Sequence, residues 1–127
     1  VDTRFHCSHS ARRSAKRASH RVLDCCDTLI RVLAANPDYG VAIPGFSGLR
    51  KMRLMVPDLK VGKSGGYRLI YRSEMVDEVW HLVFLKTYFK GDCEDLSRDE
   101  YRALLQESEV ILSDTHAYDW TDGPAPG

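Results

Sequence analysis

Leu49-Arg50-Lys51-Met52-Arg53-Leu54-Met55-Val56 alternates: Met52, Leu54 and Val56 share one side, Lys51 and Arg53 the other. A period of two is that of a half-buried β-strand. The stretch decides the class of the chain, because what precedes it has a helical period. From Ser10 to Asn36 there is neither Gly nor Pro, and Ala11, Ala15, Ala18, Val22, Cys25, Cys26, Leu29 and Leu33 recur at intervals of three and four. Ser19 could cap a second helix, so a helical pair is expected, stopped by Asn36-Pro37-Asp38-Tyr39-Gly40. A Pro44-Gly45 turn then leads into the alternating strand.

Working downstream, Gly62-Lys63-Ser64-Gly65-Gly66 reads as a connection, Tyr67 to Arg72 as a second strand and Val79 to Phe89 as a third. Connections this short favour an antiparallel meander over crossover units. Ser97-Arg98-Asp99-Glu100 has the form of a capping box, followed by Tyr101, Leu104, Leu105, Ile111 and Leu112 at helical spacing. The expected fold is α+β: a small antiparallel sheet of three to four strands, an N-terminal helical pair on one face, and a C-terminal helix. A chain of 127 residues is one domain's length, with a core expected over 5–113 and an acidic, Pro- and Gly-containing tail over 114–127.

Composition narrows the function classes. The chain is 43% hydrophobic and 28% charged, as in ordinary globular proteins, and has no apolar run of the ~18 residues a membrane span requires. No signal-peptide pattern opens it, so a cytoplasmic protein is expected. Cys7, Cys25, Cys26 and Cys93 form no C-x-x-C pair and no disulfide framework. His6, Cys7, His9 and His20 match no zinc spacing, so no metal is expected, and His81 reads as a core residue. Gly62-Lys63-Ser64 is not a phosphate-binding loop, because Pro57 stands where the first glycine is needed and a strand follows instead of a helix.

The 18 Lys and Arg residues balance 18 Asp and Glu residues, which argues against a uniformly basic nucleic-acid binder. The balance is a cancellation. Residues 48–72 carry a net charge of +6 and residues 91–127 a net charge of −8. The basic stretch holds Arg50, Lys51, Arg53, Lys60, Lys63, Arg68 and Arg72 interleaved with Tyr67 and Tyr71. Guanidinium groups bind phosphate and aromatic faces stack bases, so these residues suit RNA; they equally suit a solvated sheet face, with Tyr71 packed in the core.

Ile43-Pro44-Gly45-x-x-Gly48-Leu49-Arg50-Lys51-Met52-Arg53 resembles the I-P-G-x-G-G-L-R-K-x-R segment of HigB-like toxins, a branch of the RelE/ParE superfamily of bacterial toxin–antitoxin modules. Gly62 to Tyr71 is similar to the same family's G-K-S-G-G-x-R-V-I-Y. Tyr88-Phe89-Lys90 followed by Glu94-Asp95-Leu96-Ser97 is similar to its Y-x-K…E-D-L-S. The three motifs run in family order from about Asn36 to Leu105. The family's opening strand would fall on Thr3-Arg4-Phe5-His6.

The resemblance implies a ribosome-dependent messenger-RNA endonuclease that needs no cofactor and is neutralised by a cognate antitoxin. ParE-like relatives instead inhibit DNA gyrase, and a toxin-fold protein that binds RNA without cutting is a further alternative. Cleavage by 2′-hydroxyl attack needs a base, cations for the phosphorane oxygens and an acid for the leaving 5′ oxygen. Carried onto this chain, Arg68 is the phosphate-stabilising arginine, Lys51 the candidate base, Arg53 its assistant and Lys90 the leaving-group residue. Arg50, Lys60, Lys63, Arg72 and Tyr88 are expected to hold RNA. Tyr118 and Trp120 could close over the site, and the acidic C-terminal segment is expected on the far side of the sheet.

Overall fold

The structure, a computed structural model, describes residues 2–18, 32–54 and 66–114. In chain order the elements are β1 (Asp2–Cys7), α1 (His9–Ala18), β2 (Val41–Ala42), β3 (Leu49–Leu54), β4 (Tyr67–Val76), β5 (Val79–Phe89) and α2 (Arg98–Ser113), with residues 32–35 also helical. Most of the second helix expected before Asn36 lies outside the described residues, as do Met55 and Val56.

The sheet has five strands in the order β1-β5-β4-β3-β2, which corrects the expected three to four. It is also mixed. β3, β4 and β5 form the expected antiparallel meander, but β1 runs parallel to β5, with Phe5 opposite Leu82. The physical reasons are local. β1 carries Arg4 and His6 where an apolar repeat would have announced it, and its pairing with a strand at the far end of the sequence has no local signature. β2 is two residues long, too short for any period to show, yet Val41 pairs with Lys51 and Ala42 with Arg50.

The turn between β2 and β3 explains one of the motifs. Gly45 and Gly48 have φ of +84° and +90°, a region that glycine enters without steric cost. Phe46 N–H donates to Ile43 O at 3.2 Å and Leu49 N–H to Phe46 O at 3.1 Å, so the chain reverses within the motif. β4 and β5 are joined by Asp77-Glu78, both at positive φ, as a two-residue hairpin turn of type I′ requires.

Alternation sorts the core into two layers. Met52, Leu54, Leu69, Tyr71, Leu82 and Phe84 face the α1 side, where Cys7, Ala11 and Leu33 meet them. Leu49, Ile70, Val83 and Leu85 face the opposite side, under Tyr101, Leu104 and Ile111 of α2. β1 ends at Cys7, opposite Phe84, which leaves β5 from Leu85 to Phe89 as an edge. Its backbone groups are taken up by side chains instead: Ser8 Oγ donates to Leu85 O at 3.2 Å, and Thr87 N–H donates to Ser14 Oγ at 3.0 Å. At the start of α2, Ser97 Oγ accepts from Glu100 N–H and Glu100 reaches back to Ser97 N–H, the capping box read from the sequence.

Candidate functional site

Register brings Lys51, Arg53, Arg68 and Tyr88 together on the α2 side of the sheet. Lys51 and Arg53 are two apart on β3, so they project from one face. Arg53 stands directly opposite Arg68 on β4, and Arg68 directly opposite Tyr88 on β5. Lys90 follows β5, where its N–H donates to Gly66 O at 2.8 Å, next to the start of β4. Arg53 is exposed and Arg68 and Lys90 are half-buried; none of the three has a carboxylate partner among the described residues. Among the described residues the Arg68 guanidinium donates from Nη1 to Tyr67 O at 3.3 Å.

Tyr88 sits at the centre of this group. It is 9% exposed, and its buried hydroxyl has no hydrogen-bond partner among the described residues. Burial raises the pKa of the phenol. Lys51 and Arg68 act in the lowering direction and Asp95 in the raising one, so all three charges lie near its ring. An open cleft of about 320 Å³ borders it, lined in part by Tyr67, Thr87, Phe89, Asp92 and Cys93. A second cleft, of about 330 Å³, lies between α1 and α2 and holds none of the residues singled out for chemistry.

Two residues without an expected role complete the site. Asp95 Oδ1 accepts from Lys51 Nζ at 3.0 Å and from the Tyr101 hydroxyl, and also from Leu96 N–H at 2.8 Å. Burial pushes the Asp95 carboxyl up, but the bonds from Tyr101, Lys51 and Leu96 outweigh it and hold its pKa below the usual carboxylate value. Burial, reinforced by Asp95, raises the Tyr101 phenol well above its ordinary value. The sequence signal was the E-D-L-S motif, which places Asp95 just before the helix cap but names no partner.

Other expected residues are spent on structure. Arg72 is 8% exposed, and its guanidinium donates to Ser108 Oγ at 3.0 Å, to Glu109 Oε1 at 2.5 Å and to Glu74 Oε2 at 3.0 Å. Arg50 points to the other side of β3 and ties the loop before β2, through Gly40 O at 2.5 Å and Asp38 Oδ1 at 3.5 Å. Tyr71 is fully buried; its hydroxyl accepts from Gly40 N–H at 2.8 Å and donates to Pro37 O at 3.0 Å, so it packs and does not stack. Lys60, Lys63, Tyr118 and Trp120 lie outside the described residues.

The described part of the acidic C-terminal segment, residues 91–114, is not on the far side of the sheet; residues 115–127 lie outside the described residues. Asp95, Glu100 and Glu109 engage Lys51, Lys86 and Arg72, all from the α2 side. The reason is the capped helix itself, whose apolar stripe must cover Ile70, Val83 and Leu85 and so brings its carboxylates onto the basic face.

His81 is half-buried rather than a core residue. Its ring stacks on the buried His6, with 2.9 Å between His6 Nε2 and His81 Nδ1. Among the described residues no group of three His, Cys, Asp or Glu side chains is placed to hold a metal, and no helix is long and apolar enough to cross a membrane. No protein-family model matches the chain.

Proposed function

We propose that this chain is a RelE/HigB-like toxin that cuts messenger RNA on the ribosome, in the cytoplasm, and is held inactive by a cognate antitoxin. The observation that carries the reading is the cross-strand pair Arg53–Arg68, unneutralised among the described residues and bordered by Tyr88 on the next strand. Two guanidinium groups side by side are unfavourable in an empty protein and favourable around a phosphate.

In the reaction the ribose O2′ attacks the adjacent phosphorus and gives its proton to solvent water, while the bond to O5′ breaks and O5′ takes a proton delivered by Lys90, which leaves a 2′,3′-cyclic phosphate and a free 5′-hydroxyl. Arg53 and Arg68 hold the two non-bridging oxygens as negative charge builds on them, the largest service a protein can render this step. Lys90 approaches from the turn beside Gly66 and serves the leaving oxygen. Lys51, ion-paired with Asp95, enters as a cation and not as the base first expected of it, because an ammonium has no lone pair to accept the 2′ proton.

Primer extension on a message translated with the protein present tests the reading. Cleavage within the translated region, lost in a folded Arg68→Ala variant, is the expected result. Gyrase arrest with translated messages intact would replace it with the ParE-like alternative, and RNA binding without new 3′ ends would replace it with a non-cutting binder.

A further inference from the structure

We propose that Asp95 is a positioning residue, which fixes Lys51 as an oriented cation beside Arg68 and Tyr88. The inference rests on the RNA-cleavage reading and deepens it.

A lysine on an open strand has four carbons of freedom, and its ammonium sweeps a wide volume. Here the contact spans 44 residues of sequence, from the sheet to the start of α2, with Lys51 Nζ at 3.0 Å from Asp95 Oδ1 and 3.4 Å from the Tyr101 hydroxyl. The carboxylate is itself immobilised. The Tyr101 hydroxyl donates to the same Oδ1, Leu96 N–H donates to it at 2.8 Å, and the Asp95 carbonyl takes the Cys93 thiol at 2.8 Å. Tyr101 is anchored in turn by its ring, which packs on Phe46 with centroids 5.5 Å apart.

An ammonium has three donors. One goes to Asp95 and one towards Tyr101, and the third is uncommitted among the described residues. Fixing two donors aims the third, so the face presents a directed N–H and not a diffuse charge. The same carboxylate offsets one of three positive groups, Lys51, Arg53 and Arg68, that would otherwise repel one another on one face. A surface pair that contributed only stability would need neither the anchor from Tyr101 nor a place beside the arginine pair.

The test is single-turnover cleavage of a message on programmed ribosomes, with RNA affinity measured in parallel, for wild type, Asp95→Asn, Asp95→Glu and Tyr101→Phe. Asp95→Asn is expected to bind RNA at least as tightly, having lost a negative charge, and to cleave at saturation at least ten-fold more slowly. Tyr101→Phe keeps the ring packing and should show the same split to a smaller degree, which covers the case of a misfolded Asp95→Asn. Asp95→Glu should restore part of the rate. Unchanged cleavage, faster cleavage, or losses of rate and affinity that merely follow the folded fraction would each overturn the proposal. A wild-type protein that cuts no message overturns the functional reading itself, a result separable from the others because each of those requires a wild type that cuts.

Discussion

Arg53 on β3 and Arg68 on β4 are direct cross-strand neighbours, two guanidinium groups on one face with no carboxylate to separate them among the described residues. Like charges so placed weaken a sheet, and a protein keeps them only where something else gains.

Arg53→Ala is therefore expected to stabilise the fold slightly, by about 0.5 kcal/mol, because it removes a like-charge pair at an exposed position. Cleavage of translated message should fall by about 10²-fold, the scale of losing one preorganised donor to a developing oxyanion. A chemical melt and a cleavage assay on the same preparation check both. A variant that loses stability and keeps activity would make the pair structural.

Arg72→Ala should behave in the opposite way. Its guanidinium is buried and holds Glu74 of β4 and Glu109 of α2, so its loss unties the helix from the sheet. Glu74 and Glu109 are 40% and 61% exposed and can rehydrate, so the cost is expected near 2 kcal/mol, below that of stranding a fully buried charge. Cleavage per folded molecule is expected to stay unchanged, as thermal denaturation and single-turnover rates together would show.

Tyr71→Phe removes a hydroxyl that both accepts from Gly40 N–H and donates to Pro37 O. The buried Gly40 N–H is then left without its acceptor, a loss of about 1–3 kcal/mol. RNA affinity should not change, since the ring belongs to the α1-side core. A large affinity loss in the folded variant would return Tyr71 to the RNA surface.

Acid should weaken the fold through the carboxylates around the start of α2. The Ser97 N–H bond and, more weakly, Lys86 lower the pKa of Glu100 against a small burial penalty, and Asp95 is lowered as described above. A group whose folded pKa is depressed adds stability that is complete above its unfolded value, about 4, and disappears as pH falls through the folded one. Urea midpoints should therefore drop between about pH 4 and pH 2, and less so in Glu100→Gln, which keeps a cap acceptor that does not titrate. An equal drop in both proteins would assign the acid sensitivity elsewhere.

What could be read before the structure, and what could not, divides along physical lines. The β3 alternation, the β4 and β5 strands and the Ser97 cap announce themselves because their signals are local: a period of two or a side chain three residues from its partner. β1 and β2 carry no such local signal, since one depends on a partner more than 70 residues away and is placed over Thr3 to His6 only by the resemblance, and the other is too short to have a period. The site divides in the same way. Arg53 and Arg68 could be named from residue type and motif. That Arg72 is consumed by Glu109, and Lys51 held by Asp95, depends on a helix folding back over the sheet, and only the packing of Leu104 and Ile111 decides that. Net charge by segment suggested two poles; the fold interleaves them.

The parallel pairing of β1 with β5 sets an order of assembly. His6 meets its neighbour His81 across 75 residues, a contact that cannot form until β5 is available to receive β1. Loop closure over that distance comes late in folding, when the β4–β5 hairpin is already in place to receive the strand. β1, which precedes the other four strands in the chain, is thus expected to be laid down last, and Arg53, Arg68 and Tyr88 likewise need β5 before they share a surface. A nascent chain of this protein is expected to remain unassembled, and so inert, on the ribosome that is making it.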